Sequence, residues 1–505
     1  MSGGRSRREV EQKNIDVFHR SSFLAFFPIL PYNLIRGQRN WKEGWYDTAG
    51  KPEAADNGFS LDMALKTEPL ELEYIKAMLK EYNVESMIYE ASFDRRSFDE
   101  IFNEYTPDAV AVTGYITQEK LMLSYARRAK ALRPGCVTII GGSHAQLNPE
   151  RFFDPAVSYI CRSDNIYAVA EALKAEGLIP PENGFCPPKL SVIDGLCYPE
   201  NGGWHKNPMK PFDLNKLPIP DRSAFSTYQD HYRYLDVSPV ALLKTSSSCP
   251  YHCAFCYGRE LNCGTYCQRD LEKIIEELET IPCGNIQIAD DDFLYDVPRL
   301  KEFMRLLRER NIKKNFICYG RSDFIAVHED LIRELAEAGF RYIMVGLEAV
   351  SDSFLDSYQK HSSQSLNIKT IRMLQKYSIH LVGLFIIDSR FKKEDFRNMR
   401  RFIHTHRITY TGVSIFTPIP GTALFNEYRD RLTTENCEKW DFMHLVVKPE
   451  CMSRFHFYFE YYLLVMDLFR IAQKAGIYSF LRLEDYKNIF LKLLFTDSFK
   501  HRTRR

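Results

Sequence analysis

The sequence lacks long apolar runs, an excess of one charge and a dense set of cysteines. No stretch reaches the roughly 20 apolar residues of a membrane-spanning helix, so we predict no membrane span. The 67 Lys and Arg residues nearly balance the 66 Asp and Glu residues, which excludes the basic excess typical of nucleic-acid-binding proteins. The 13 cysteines are mostly isolated. They indicate free thiols in a reducing compartment and predict a cytoplasmic protein.

The first 180 residues alternate between strand-like and helix-like patterns. Basic residues precede the apolar segment FLAFFPIL, but two prolines interrupt that region and no cleavage site follows, so we predict a buried strand rather than a signal peptide. The strand-like segments are 23–30, 84–90, 109–115, 136–142 and 157–162, and the amphipathic helical ones are 69–82, 121–132 and 167–177. This alternation predicts a parallel sheet in a Rossmann-like, doubly wound domain over residues 1–180.

In such a sheet, ligands bind beyond the carboxyl ends of the strands. Two of these ends carry glycines, which let a ligand approach the backbone closely because they have no side chain. An ordinary tight turn, with a loop histidine, is the competing interpretation. The candidate ligand-facing residues are Thr113, Gly114, Tyr115, Gly141, Gly142, Ser143 and His144.

A second alternation follows a segment rich in Pro, Gly and Asn. That segment, residues 181–235, predicts a linker with a small hairpin around Gly202 and Gly203. Six βα units then predict a partial (β/α)6 barrel over residues 236–425, and an aromatic-rich helical pattern predicts a C-terminal helical domain over 426–505. The fold class is therefore α/β. The predicted barrel strands are 240–249, 285–293, 315–321, 342–349, 380–388 and 412–418.

Polar residues recur at the carboxyl ends of the predicted barrel strands, where such barrels place their chemistry. If these polar residues were only part of the solvent-exposed surface, they would be scattered along the sequence and would not recur at strand ends. Three cysteines follow the first strand, and the later strand ends carry Asp290, Asp291, Arg321, Glu348 and Asp388.

The three cysteines, Cys249, Cys253 and Cys256, have the spacing C-x3-C-x2-C. Four thiolates complete a structural zinc site or hold an ordinary iron–sulfur cluster, so this loop is one ligand short. Three thiolates hold three corners of a [4Fe–4S] cube and leave the fourth iron open. Cys263 and Cys267 could complete a zinc site instead, although we favour loop thiols for them.

This loop resembles that of the radical S-adenosylmethionine (SAM) superfamily, with Phe255 before the last cysteine and Tyr257 after it. The resemblance implies that SAM occupies the open iron through its amino and carboxylate groups. It also implies that Phe255 and Tyr257 contribute to the SAM site.

The later barrel strands extend the same resemblance. It implies that Asp290 and Asp291 receive the ammonium of SAM, which suits a carboxylate acceptor. It implies that Arg321 pairs with the SAM carboxylate and that Glu348 hydrogen-bonds the ribose hydroxyls.

The order of the domains, with the linker segment LNKLPIPDR between them, resembles the cobalamin-binding radical SAM family over most of the chain. The resemblance implies that the candidate residues from Thr113 to Tyr115 and from Gly141 to His144 bind cobalamin. Two features depart from the family pattern. No histidine has Asp two positions before it, which implies cobalamin bound without a histidine from a D-x-H-x-x-G motif. The segment CRSDNIYA (161–168) replaces a Gly-Glu-rich turn.

The resemblance implies a methyltransferase. A 5′-deoxyadenosyl radical derived from SAM would activate the substrate, and methylcobalamin would deliver a methyl group to an unactivated carbon or, less often in this family, to phosphorus. The implied partners are a small-molecule or peptide substrate and an electron donor of the flavodoxin or ferredoxin type. Two alternatives stay open: an oxidative cyclase or ring-rearranging enzyme, and, from another class, a cobalamin sensor or carrier that does not cleave SAM.

Overall fold

Two largely parallel β-sheets organise the part of the chain that the computed structural model describes, residues 14–19, 65–180, 188–360 and 362–477. Helices connect most successive strands of each sheet. The strands of the first half are β1 (Asn14–His19), β2 (Leu65–Lys66), β3 (Glu85–Glu90), β4 (Ala109–Thr113), β5 (Val137–Gly141), β6 (Tyr159–Cys161), β7 (Leu196–Glu200) and β8 (Gly203–Lys206). The helices between them are α1 (Leu70–Glu81), α2 (Phe98–Tyr105), α3 (Glu119–Leu132), α4 (Ser143–Leu147) and α5 (Tyr167–Ala175).

The first sheet has the strand order β3-β1-β4-β5-β6-β7-β8. Its first five strands are parallel, and the last two form an antiparallel hairpin. Alternate side chains of β4 are buried on opposite faces: Ala109 and Ala111 pack with α1 and α5, whereas Val110 and Val112 pack with α2 and α3. Helices therefore cover both faces, which confirms the predicted Rossmann-like fold.

The predicted strands from 84 to 162 correspond to β3, β4, β5 and β6. The predicted strand at 23–30 lies outside the described residues; β1 is formed by residues 14–19. The hairpin predicted in the linker is β7–β8, and it extends the first sheet at its edge. The linker thus contributes to the sheet of the first domain. The domain boundaries at residues 180, 235 and 425 stay predictions.

The second half begins with a short strand, β9 (Arg233–Tyr234), which pairs with β2. Its other strands are β10 (Ala241–Leu243), β11 (Ser246–Ser247), β12 (Cys267–Gln268), β13 (Asn285–Ile288), β14 (Asn315–Gly320), β15 (Phe340–Glu348), β16 (His380–Ile387) and β17 (Tyr410–Ile415). The helices are α6 (Ser223–Tyr228), α7 (Leu271–Thr280), α8 (Val297–Glu309), α9 (Ser322–Ile325), α10 (Glu329–Glu337), α11 (Asp352–Ser357), α12 (Gln364–Lys376), α13 (Lys393–Thr405) and α14 (Ala423–Tyr428).

Six of these strands form one parallel sheet in the order β10-β13-β14-β15-β16-β17. Neighbours in this sheet are successive in the chain, except for the small β11–β12 hairpin beside it, and each predicted barrel strand overlaps one of them. The predicted partial (β/α)6 barrel is confirmed. Among the described strands β17 does not pair with β10, so the barrel is open.

Short polar side chains set where several helices begin. Ser97 and Glu100 form a capping box at the start of α2, and Asp296 accepts a hydrogen bond of 3.1 Å from the backbone of Arg299 at the start of α8. Each cap satisfies a backbone N–H that has no partner inside its helix.

The last helix, α15 (Arg454–Lys474), follows a loop region with short 3-10 turns. Its residues Phe457, Tyr461, Leu464 and Leu468 are buried in the apolar core of the barrel. The described part of the C-terminal segment therefore packs against the barrel, as its apolar stripe predicts. No helix of the described residues is long and apolar enough to cross a membrane.

A buried ionic network joins the two halves. Arg222 lies between Glu68, in the loop before α1, and Glu277 of α7, with 2.8 Å between Arg222 Nη2 and Glu277 Oε1. Arg269 donates to the other oxygen of Glu277 at 2.7 Å, and Tyr74 of α1 also contacts it. Breaking such a network would leave charges buried and unpaired, so it holds the two sheets in a fixed relation.

Candidate active site

The carboxyl ends of both sheets border one cavity between them. Every residue that the sequence nominates for SAM, cluster or cobalamin binding lines it, with the exception of His144. On the side of the first sheet the lining residues are Thr113, Gly114, Tyr115, Gly141, Gly142 and Ser143; on the barrel side they are Cys249, Cys253, Phe255, Cys256, Tyr257, Asp290, Asp291, Arg321 and Glu348.

The cysteine loop is held by contacts at two of its sulfurs. The Arg321 guanidinium lies 3.3 Å from the sulfur of Cys253, and the backbone N–H of Gly258 lies 3.4 Å from that of Cys256. Burial raises the pKa of the Cys249 thiol to about 12. Ligation must therefore displace a proton, as metal binding by cysteine generally does.

The spacing of the thiols distinguishes a cluster from a single ion. Ligand atoms of a tetrahedral zinc site lie about 3.8 Å apart, given zinc–sulfur bonds of about 2.3 Å. Among the described residues, the three sulfurs do not all lie within 4.8 Å of one another, and Cys263 and Cys267 belong to no group of three ligands that close. Cys267 instead contacts the Phe212 carbonyl at 3.4 Å. Three spread thiols fit separate irons of a cube.

The first two aspartates after β13 differ in their surroundings. Asp290 is buried and accepts hydrogen bonds from the backbone of Thr245 (2.7 Å) and Ser246 (3.0 Å) and from the Thr245 hydroxyl (2.5 Å). It therefore braces the start of the cysteine loop. Asp291 faces the cavity and has no hydrogen bond within the described chain. Enclosure by the cavity walls and the nearby Asp290 and Asp164 charges raise its pKa to about 6, against the opposing effect of Lys244.

Asp292, the third aspartate, is buried and also lines the cavity. Its Oδ1 accepts from the Leu294 backbone at 3.2 Å, while Oδ2 has no partner among the described residues. Burial raises the pKa of Asp292 well above its usual range, although the Arg321 charge opposes this. A buried carboxylate oxygen without a donor is rare in proteins, and it fits a site that receives a ligand donor.

Arg321 is largely occupied by protein groups. Its Nε and Nη2 donate to the Asp323 carboxylate at 3.0 and 2.9 Å, and Nη2 also donates to the Lys360 carbonyl. Together with the contact to Cys253, these bonds hold the guanidinium 3.9 Å above the Tyr251 ring. Its position beside the cysteine loop stabilises negative charge on the Cys253 sulfur.

Glu348 pairs with Lys360, which the sequence analysis did not select. The Lys360 Nζ lies 2.5 Å from Glu348 Oε1, and both side chains are less than a tenth exposed. Glu348 has a left-handed backbone, with φ 54°. A side chain on Gly346 would collide with both charged groups, so glycine is needed there to leave room for the pair.

The β4 and β5 loops bring bare backbone to the cavity. Gly142 has φ 97°, and a Cβ there would lie 2.6 Å from the Thr113 hydroxyl. A Cβ on Gly114 would lie 2.8 Å from the Gln118 side-chain oxygen. These glycines therefore let the loops pack closely against their neighbours, while their backbone lines the cavity.

His144 points away from the cavity. Its Nε2 lies 2.9 Å from Glu119 Oε2, and its ring packs edge-on against Phe152. Arg151 donates twice to Glu119, and the Cys437 sulfur lies 3.4 Å from it. Although burial opposes ionisation, the hydrogen bonds from His144 and Arg151 lower the pKa of Glu119 to about 2.

Glu119, His144 and Cys437 are close enough to hold an ion. However, both carboxylate oxygens of Glu119 already accept hydrogen bonds from Arg151, and its Oε2 also contacts His144 and the Cys437 sulfur. The group is a hydrogen-bonded contact between the first domain and the loop that follows the barrel.

Two sequence families match the two halves. Residues 243–403 match the radical SAM superfamily, and residues 61–173 match the B12 binding domain. The chain belongs to the cobalamin-binding radical SAM family. Its cofactors are a [4Fe–4S] cluster, SAM and cobalamin. The residues fit them: three spread thiols for the cluster, the unpartnered Asp292 oxygen for a donor of SAM, and the bare backbone of Gly141 and Gly142 in the cavity wall for cobalamin.

Similar proteins agree with this family. The chain is 24% identical over 449 residues to an uncharacterized methyltransferase of Pyrococcus horikoshii, covering 86% of this chain and 90% of the relative. It is 23% identical to the hopanoid C-3 methylase of Methylococcus capsulatus, covering 76% and 73%. It is also 24% identical to the anaerobic magnesium-protoporphyrin IX monomethyl ester cyclase of Cereibacter sphaeroides, covering 70% and 58%.

Among solved structures, the chain resembles the cobalamin-dependent SAM radical enzyme OxsB with aqua-cobalamin and SAM bound. The TM-score is 0.67 at 16% identity, over 95% of this chain and 72% of that chain. The two proteins share their fold.

Of the lining residues that do not stand out in the sequence, two have the chemistry to bind a charged ligand: Asp292 and Lys360. Asp292 follows two other aspartates, and counting acids in ADDDF does not tell which one turns inward. Lys360 lies after α11, away from any strand end, so the rule of strand-end chemistry does not select it.

Proposed function

We propose that this enzyme transfers a methyl group from SAM, via methylcobalamin, to an unactivated carbon of a small-molecule or peptide substrate; a phosphorus atom is the alternative acceptor. One observation carries the proposal: the cysteine loop and both glycine-containing loops line the same cavity. A substrate held there borders both cofactor sites, as a reaction that needs both cofactors at one atom requires. The relatives named as methyltransferase and methylase, which span most of the chain, support it.

When bound, the cluster supplies one-electron cleavage of SAM, and cobalamin supplies methyl transfer. The chain itself binds and orients the cofactors and the substrate, and it excludes water from the site. Cys249, Cys253 and Cys256 would hold the cluster, and the Arg321 guanidinium stabilises the charge of Cys253.

We assign the SAM ammonium to Asp292, because its buried Oδ2 has no other donor in the described chain. Asp290, with three donors already on its carboxylate, keeps the start of the cysteine loop in place. Phe255 and Tyr257 line the cavity beside the cysteine loop, and we assign them to the aromatic wall of the SAM site. Asp291 is left facing the open cavity, toward a substrate.

A cyclase or ring-rearranging enzyme is the second candidate. It is favoured by the similarity to relatives named magnesium-protoporphyrin IX monomethyl ester cyclase. The two candidates differ in what happens to the SAM methyl group: a methyltransferase incorporates it into product, and a cyclase does not.

The deciding experiment uses SAM labelled in its methyl group. Anaerobically reconstituted protein, with cobalamin and a chemical reductant, is incubated with a metabolite extract, and products are followed by mass. We expect label in a product, together with 5′-deoxyadenosine and S-adenosylhomocysteine. An unlabelled product whose formation needs the cluster would favour the cyclase. Absence of 5′-deoxyadenosine under all conditions would favour a cobalamin sensor or carrier.

We further propose that a flavodoxin- or ferredoxin-type protein donates the electron, and that the enzyme works in the cytoplasm. The described cysteines are all free, which suits a reducing compartment. Exchange of the chemical reductant for reduced flavodoxin should sustain formation of 5′-deoxyadenosine if the electron-donor proposal holds.

A further inference from the structure

The hydrogen bonds of Arg321 leave little room for a ligand carboxylate. A guanidinium has five N–H donors and binds a carboxylate best through two parallel donors on one edge. The edge formed by Nε and Nη2 is taken by Asp323. The other edge is taken by the Lys360 carbonyl, which accepts from Nη2, and the Cys253 sulfur, which accepts from Nη1.

Lys360 is the neighbouring cation with donors to spare. Its ammonium has three N–H donors, and only the one to Glu348 finds an acceptor within the described chain. The side chain is 6% exposed and lines the cavity. Leaving buried charged donors without acceptors is costly. The two remaining N–H groups of Lys360 would therefore favour an acceptor group that enters the cavity.

The chain also fixes where that acceptor would lie. The Lys360 carbonyl is bonded to Arg321, whose Nη1 contacts Cys253, so Lys360 stands beside the cysteine loop. Asp292, with its unpartnered oxygen, lies near the same guanidinium, since the Arg321 charge acts on its carboxyl. Two groups therefore lie next to Arg321: the Asp292 carboxylate, which can accept a hydrogen bond from an ammonium, and the Lys360 ammonium, which can donate to a carboxylate.

We infer that Lys360 binds the carboxylate of SAM, in place of Arg321. Ammonium donors repel the ammonium and sulfonium of SAM, and among its acceptor groups the carboxylate alone is anionic, which makes the strongest hydrogen bond. Glu348 orients the Lys360 ammonium, and the space left by Gly346 admits the pair. This inference deepens the proposed function and rests on it only in taking SAM as the ligand.

The test compares SAM with decarboxylated SAM, which lacks only the carboxylate. Affinities for both are measured by anaerobic equilibrium dialysis on the full-length, cluster-reconstituted protein, with iron content as the check on integrity. In Lys360→Met, the affinity for SAM should fall by about 10- to 100-fold, as for loss of a charged hydrogen bond. The affinity for decarboxylated SAM should stay nearly unchanged. Lys360→Arg should restore much of the preference for SAM.

Lys376→Met is the matched control, because Lys376 is exposed and pairs with Glu329 on the surface; it should alter neither affinity. Equal losses for both ligands in Lys360→Met would overturn the inference, because the lysine would then act on the rest of SAM. An unchanged preference would overturn it too. If Lys360→Met loses the cluster, Lys360→Gln is judged by the same ratio. A wild-type protein that binds neither ligand would instead refute the proposed function.

Discussion

The two walls of the cavity are built differently. The barrel wall carries many charged side chains, of which Arg321 pairs with Asp323 and Lys360 with Glu348. The wall formed by the β4 and β5 loops, from Thr113 to Tyr115 and from Gly141 to Ser143, contains no charged side chain and offers backbone and glycine. The first wall is arranged for a small charged ligand, and the second for close approach of a large one.

This contrast indicates how each wall should respond to substitution. A wall of paired charges depends on individual side chains, since removal of one leaves its neighbour buried and unpaired. A wall of backbone depends on the absence of side chains, so added atoms harm it more than deleted ones. Shortening side chains of the barrel wall should therefore impair cluster and SAM binding. Adding side-chain atoms to the glycine-containing wall should impair cobalamin binding.

The largest effect should follow loss of the three cysteines. With Cys249, Cys253 and Cys256 all changed to Ala, cluster absorbance and SAM cleavage should disappear, because no ligands remain for the irons. Cobalamin should still bind, since its wall is separate. Iron analysis and cobalamin absorbance test both parts. The double variant of Cys263 and Cys267 to Ala is the control and should keep its iron; loss of cobalamin in the triple variant would show that the walls are not independent.

The next effect should come from enlarging Gly142. In Gly142→Val the added side chain meets the Thr113 hydroxyl and must adopt φ near 97°, which is strained for a β-branched residue. We expect cobalamin affinity to fall by at least about tenfold, the equivalent of about 1.4 kcal/mol, with the iron content unchanged. Gly135→Ala is the control, because an added Cβ there meets nothing within 4 Å. Unimpaired cobalamin binding in Gly142→Val would remove this loop from the site.

The same contrast explains what the sequence could predict. Strand ends such as those before Asp290 and Gly141 are visible as apolar runs, and parallel strands bring their carboxyl ends together. The hydrogen-bond partners of each side chain cannot be read from the sequence. Arg321 is a cation at a strand end, but its engagement by Asp323 and by the Lys360 carbonyl depends on how two loops meet.

His144 illustrates the same limit on the other wall. It lies next to the ligand-facing glycines in sequence, yet helix α4 turns it toward Glu119, which follows a different strand. Spacing along the chain carries no information on that contact. Lys360 is the opposite case: it is not selected by any sequence pattern, yet it lines the cavity from a loop.

A smaller effect, on stability, should follow His144→Ala. The change removes a buried ring and a hydrogen bond to Glu119, which should lower the free energy of unfolding by about 2–3 kcal/mol. Cobalamin affinity should hardly change, because the ring lies outside the cavity lining. Urea unfolding and cobalamin titration measure the two. His205→Ala, at a side chain that is 41% exposed, should shift stability by less than about 0.5 kcal/mol. Loss of cobalamin without loss of stability would place His144 in the binding site.

The smallest effect concerns Asp291, the carboxylate of the barrel wall that has no hydrogen-bond partner in the described chain. Because its pKa is raised from 3.8 to about 6, the folded protein holds this proton more tightly than the unfolded chain does. The stability that Asp291 contributes is therefore present below pH 3.8 and is lost as the pH rises through about 6. Asn does not titrate. The Tm of Asp291→Asn, measured without cofactors, should rise relative to wild type between pH 4 and 6 and then stay level. The Tm of the variant minus that of wild type would contradict this if it stayed constant or fell between pH 4 and 6. That result would mean that a neighbouring cation such as Lys244 holds the carboxylate charged.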